Sequence, residues 1–294
     1  ADLPDEIDTS SQIINISVAG AASSQFAAGA AISLNWLKNT VEASIIDSTV
    51  RAAGDVNVKA RDDADLISVA LGVGIGGSVG VGAAVSYNYI GGDPGDPSRT
   101  DTPPNDASLN SGVVKAIIDN SNVDALAGDV NLLAETDAKI INVTIGAAGA
   151  STAIAGSISI NFMKMEVDAV IKGGAVVNAG EEVTLTSTAS PAMVIVAGAG
   201  AGGASVAVGI ASATNDMRSN VKARIEGAST QVNSNVVTFD SSNVSSPTVN
   251  TGDTVNVLTG HSAGGVVGNR YQYRGASGTI DLSTENFANT TNWT

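Results

Sequence analysis

Two hundred and ninety-four residues with 33 glycines, no cysteine and only ten aromatics exclude a disulfide scaffold and a thiolate metal site. Fourteen Lys and Arg against 29 Asp and Glu leave a net charge of −15, and so acidic a surface repels phosphate backbones and excludes nucleic acid as a partner. The apolar share, 43 %, comes mainly from Ala, Val and Ile, which suits thin flat layers better than a bulky centre.

The opening decapeptide, ADLPDEIDTS, has neither a basic n-region nor an apolar h-region. It predicts no signal peptide, so that either one was removed or the chain is a segment of something longer. The first apolar run ends on Ser33 and Asn35, and the pattern Ser-x-Asn recurs at Ser86/Asn88 and Ser159/Asn161. A fourth run ends on Asn215 with Ala213 in the serine place, giving asparagine spacings of 53, 73 and 54 residues. Next comes Val41-Ala43-Ile45, repeated from Val114, Val167 and Val221 at spacings of 73, 53 and 54. Both series agree if about 20 extra residues lie between Asn88 and Val114, where Gly91–Gly112 reads as a Pro/Asp/Gly loop.

The third element, Gly54-Asp55-Val56-Asn57-Val58, returns at Gly128–Leu132, more loosely at Gly180–Leu185, and degraded at Asn235–Phe239. Each is a turn followed by alternation, with Val56, Val58 and Ala60 opposite Asn57, Lys59 and Arg61, a strand with one buried face. The run Leu66–Ile90 alternates large odd positions (Ile67, Val69, Leu71, Val73, Ile75) with small even ones (Ser68, Ala70, Gly72, Gly74). Period two means strand, and the small face can approach another layer closely. In the other copies the parity of the large residues changes, which predicts bulges or different turns there. A hairpin-based layer is the alternative to stacking, because Gly76-Gly77-Ser78 would close a three-residue loop with Ile75 opposite Val79. Transmembrane helices over these runs are disfavoured by the glycines and by the missing 3.6-residue period. Beyond Ser245 the composition shifts: Gly252–Leu258 and Arg270–Gly275 read as strands, four of the ten aromatics (Tyr271, Tyr273, Phe287, Trp293) fall in this tail, and Tyr271, Tyr273 and Trp293 read as a miniature core, with a ligand site as the alternative.

The fold class predicted is all-β, a repeat β-solenoid resembling a parallel β-helix, because one 54-residue unit cannot bury its own apolar face. The units are 11–65, 66–139 with the insertion 91–112, 140–192 and 193–245, followed by a small β module or cap, 246–294. Stacking would align Asn35, Asn88, Asn161 and Asn215 into a hydrogen-bonded ladder.

Chemistry is sparse. The only histidine, His261, sits in a Gly-rich turn near Ser262 and Asp253, and reads as a solvent-exposed turn residue rather than a triad base. Asp93, Asp96, Asp101 and Asp106 are the candidate Ca²⁺ ligands, although their spacing matches neither an EF-hand nor the glycine-aspartate nonapeptide repeat and a solvated acidic loop is the simpler reading. Arg61-Asp62-Asp63-Asp65 reads as a solvated turn at a strand exit, and no aromatic platform for sugars accompanies the repeats. No cofactor is required, and an enzyme is not expected.

These alternating motifs, Val-x-Ala-x-Ile, Gly-Asp-Val-x-Val and a Gly/Ala/Val run ending in Ser-x-Asn, resemble the repeats of giant secreted adhesins of Gram-negative bacteria. Those are the filamentous-haemagglutinin-like and leukotoxin-type exoproteins. The resemblance implies an extracellular, bacterial cell-surface location and a non-catalytic structural role in an adhesin or filament, as a stalk or self-assembling fibre. Self-association or a host-surface ligand is the implied partnership. A ligand- or Ca²⁺-binding adhesive module and a membrane-inserting toxin segment are the alternatives.

Overall fold

The computed structural model describes residues 10–91, 111–234, 237–243 and 245–294. The four candidate calcium ligands, Asp93, Asp96, Asp101 and Asp106, lie outside the described residues. The chain is all-β, with strands and no helix among the described residues, and mostly parallel pairing.

The chain runs in four circuits. The first comprises β1 (Ser10–Ser23) outward, β2 (Phe26–Lys38) back, then β3 (Thr40–Ile46) and β4 (Thr49–Ala52). It closes with the first seven residues of β5 (Val56–Gly76), whose remainder is the outward arm of the second circuit. That circuit continues with β6 (Val79–Gly91), β7 (Gly112–Asp119), β8 (Asn122–Ala125) and β9 (Val130–Thr136). In the third, β10 (Lys139–Lys172) makes both arms and the next side, followed by β11 (Val176–Ala179) and β12 (Val183–Ala189). The fourth holds β13 (Ala192–Ile225) and β14 (Gln231–Asn233).

Every pairing among β1–β14 is parallel and joins equivalent parts of neighbouring circuits. Asn35 pairs with Asn88, Asn88 with Asn161 and Asn161 with Asn215, and the register of β2–β6, β6–β10 and β10–β13 carries the 53-, 73- and 54-residue spacings. β6 ends at Gly91 and β7 starts at Gly112, the edges of the insertion. The changing parity has a simpler cause than bulges. Neighbouring circuits are offset by odd numbers over much of their length, so Ile14 sits beside Ile67, and the one register shift of β10 against β13 lies at Ala150/Thr152.

The hairpin named as the alternative does not form. β5 and β6 are not hydrogen-bonded to each other; Gly77 and Ser78 donate instead to Ser23 and Gln25 of the first circuit. The outward and returning arms are therefore two layers of one ten-stranded sheet, joined through β10 and folded face to face, and the shorter strands build the body beside them. The body is filled by columns of like residues: Val41, Val114, Val167 and Val221, and beside them Ile45, Ile118, Ile171 and Ile225. At the β3–β4 corner and its equivalents, Asp47, Asn120 and Gly173 each take positive φ (48°, 45°, 68°), the residue types that tolerate it best.

The fourth circuit adds no strand over β12 among the described residues. Instead β15 (Phe239–Asp240) joins the C-terminal module, pairing with β17 (Thr254–Asn256) after β16 (Thr248–Val249). β18 (Arg270–Gln272) pairs antiparallel with β17, and β19 (Gly278–Thr279) with β16. Val249, Val255, Val257, Tyr273, Leu282, Phe287 and Trp293 form its core. The module lies along the side of the stack: Asp253 pairs with Arg51, Gln272 Nε2 donates to the Ala53 carbonyl at 3.1 Å, and Arg270 donates to the Gly180 carbonyl.

Candidate functional site

The arms are the most unusual surface of the chain, and residue size builds them. In each run the small residues face inward between the two layers and the large ones face out. Gly72, Gly74 and Gly82 lie so close to the opposite layer that a Cβ would sit 1.7, 1.9 and 1.8 Å from the carbonyl oxygens of Ala83, Val81 and Ala147. The layers thus touch backbone to backbone, far closer than the ~10 Å of ordinary stacked sheets.

Toward the body the seam becomes polar. Asn35 Nδ2 donates to Asn88 Oδ1 at 2.7 Å, Asn88 to Asn161 at 2.8 Å and Asn161 to Asn215 at 2.8 Å. Each of the first three amides also donates to the serine two residues earlier, Ser33, Ser86 or Ser159. The opposite layer joins in: Asn15 donates to Asn35 and Asn142 to Asn161, while Ser68 lies 2.9 Å from Ser33 and 3.2 Å from Ser86. Because Asn88, Asn142 and Asn161 are buried, this mutual satisfaction is what makes polar side chains tolerable there.

The outer faces are apolar. Ile16, Ile32 and Ile210 are 67, 63 and 68 % exposed, and Ile14, Val18, Phe26, Ile75, Val206 and Val208 continue the rows. No charged residue occurs in Leu66–Ile90 or Ile140–Met163. Rows of exposed Ile and Val like these are uncommon on a free protein surface and make this the candidate contact surface of the chain. It is made by the large side chains, not by the small Gly/Ala face, which is consumed inside. At the base of the returning face, three aromatics from three circuits converge: Trp36 and Tyr87 with ring centroids 5.9 Å apart, Tyr87 and Phe162 at 6.0 Å. Their absence as a platform was expected from the sequence, and register alone assembles them. The rings are tilted by 45° and 53°, so they form a ridge rather than a flat shelf.

Asp62 was expected in a solvated turn. It lies instead in mid-strand, fully buried, where Asn39 Nδ2 donates to its Oδ1 at 2.5 Å and its Oδ2 has no partner among the described residues. Its register partner Thr136 is also buried, with a hydroxyl likewise unpartnered there. Burial raises the Asp62 carboxyl to about 6, with Asn39 opposing and Asp63 adding to the rise. Between about pH 4 and 6 the folded chain therefore keeps a proton that the unfolded chain has released. Stability should fall as pH rises through that window. Asp62→Asn should flatten this slope and stabilise the chain at pH 7 by about 2 kcal/mol, read by denaturant titrations at pH 4 and 7.

His261 is part-buried rather than exposed: its Nε2 lies 2.9 Å from the Glu285 carbonyl and its ring 5.0 Å from Phe287. Asp253 is engaged by Arg51 and the Asn250 amide, so His261, Ser262 and Asp253 make no triad. Among the described residues no group of three or more His, Asp or Glu is placed to hold a metal ion, and no helix is long and apolar enough to cross a membrane. Comparison with family models, with curated proteins and with solved structures finds no match to this chain.

Proposed function

We propose that the four circuits form a β-solenoid, that the side module comprises 246–294 together with β15, which the repeat region contributes to it, and that the chain is a non-catalytic structural segment of a large extracellular protein. Its role in that reading is a stalk or surface fibre at the bacterial cell surface, held by contacts between neighbouring copies. The observation that carries it is the pair of uncharged, outward-facing Ile/Val rows on the arms. Both faces have the same chemistry, so the arms of one copy fit against those of another, apolar row to apolar row.

Lipid would also suit such rows, but among the described strands β13 has a partner only on one side. Its other edge would carry unpaired backbone groups into hydrocarbon at several kcal/mol each. A neighbouring protein leaves that edge accessible to water or to another strand.

The test is sedimentation of the purified chain beside Ile32→Lys/Ile158→Lys, two positions on the returning face that are 63 and 48 % exposed. The wild type should form concentration-dependent multimers, and the double variant should lose side-by-side association and sediment as smaller species than the wild type at every concentration, with its stability changed by less than about 1 kcal/mol. Wild-type chains that stay monomeric at all concentrations would refute the lateral contact.

A further inference from the structure

We propose that the fourth circuit is a docking surface for the first circuit of a second copy of this chain, so that copies stack head to tail along the direction of strand pairing. The proposal builds on the reading above but concerns the ends of the stack rather than the faces of the arms.

The fourth circuit is an unfinished interior. Among the described strands β13 pairs with β10 alone, and Val221 and Ile225 are 42 and 52 % exposed although Val114, Val167, Ile118 and Ile171 in the same columns are fully buried. A stack with an open end of this kind needs a cap. The C-terminal module is not one, because its bonds run down the side to Arg51, Ala53 and Gly180 of the first and third circuits. At the other end β1, β2, β3 and β4 each pair with one strand only among the described residues.

The two ends match in the columns that fill the body. The columns ending in Val221, Ala223, Ile225 and Val232 begin with Val41, Ala43, Ile45 and Val50, so a joint continues each column with its own residue type. The asparagine ladder continues as well. Asn215 Oδ1 accepts from Asn161, leaving its amide hydrogens as the next donors, and among the described residues Asn35 Oδ1 accepts only from Asn15. Inside the stack Asn88 Oδ1 accepts from Asn35, and Asn161 Oδ1 from Asn88 and Asn142, so each takes a bond from the asparagine of the preceding circuit, the donor that Asn35 lacks. Charge alternates up one column, Glu42, Lys115, Asp168, Lys222, and the next residue would be Glu42 of the second copy. Two features oppose the joint. Arg218 would approach Lys38, although Arg218 is already paired with Asp216 at 2.9 Å. The column of β9 and β12 stops at the third circuit, so the joint leaves one strand-width uncovered there. A contact between different surfaces related by translation does not close on itself, and its product is a filament.

The experiment uses full-length chains carrying Ile32→Lys/Ile158→Lys, so that lateral packing does not contribute, at low ionic strength. Those chains should associate with rising concentration, and adding either Glu42→Lys or Lys222→Glu should raise the concentration needed by about tenfold through like-charge contact. Mixing the two charge variants should restore assembly, because positions 42 and 222 then carry opposite charges across every joint between unlike copies. Background chains that remain monomeric, single variants that assemble as readily as their parent, or a mixture no better than its components would each overturn the stacking proposal. Lateral association of the wild type would be untouched by any of these results. Circular dichroism and melting of each variant establish that the fold is retained.

Discussion

Gly72→Val should unfold the arms, costing at least about 3 kcal/mol, whereas Gly20→Val should change stability by less than about 1 kcal/mol. Both glycines lie in outward arms of neighbouring circuits. A Cβ on Gly72 would meet the Ala83 carbonyl oxygen at 1.7 Å and its carbon at 2.6 Å, backbone atoms that no rotamer change can move. A Cβ on Gly20 meets nothing within 4 Å. Chemical denaturation followed by circular dichroism separates the two. Equal effects would mean that the layers do not touch and that glycine serves only the unfolded chain.

Asn88→Leu should be the second large loss, about 2–4 kcal/mol, because it strands several buried partners at once. Asn88 accepts from Asn35 at 2.7 Å and donates to Ser86 and Asn161 at 2.9 and 2.8 Å. Asn215→Leu removes one acceptor at the exposed end of the same ladder and should cost about 1 kcal/mol or less. The gradient from the middle of the ladder to its end is the signature of a stacked column. Equal costs at the two positions, read from melting or denaturant curves, would argue against it.

The period and the alternation were legible because they are properties of single strands and of like residues recurring. Ser-x-Asn and Val-x-Ala-x-Ile mark the same place in each circuit, and the spacing excess located the insertion between Gly91 and Gly112. Which faces meet was not legible. Ile75 and Val79 flank a short bend whether the arms bond edge to edge or stack face to face; neighbouring circuits decide it by taking the hydrogen bonds of Gly77 and Ser78. The same distance between cause and sequence hid the aromatic ridge, since Trp36, Tyr87 and Phe162 lie far apart along the chain. Asp62 misled for a local reason. Its neighbours Arg61, Asp63 and Asp65 are partly exposed and make the segment look wet, while alternation turns Asp62 alone inward.

A pair of spin labels on Thr49→Cys/Gln231→Cys tests the in-register stack most directly, since the chain has no cysteine of its own. Residues 49, 122, 176 and 231 form one column across the four circuits. Three strand spacings place the labelled backbones about 14 Å apart, so strong dipolar broadening is expected despite the intervening sequence. Spectra without dipolar broadening, with labels more than about 30 Å apart against that ~14 Å expectation, would contradict the stack and the function built on it.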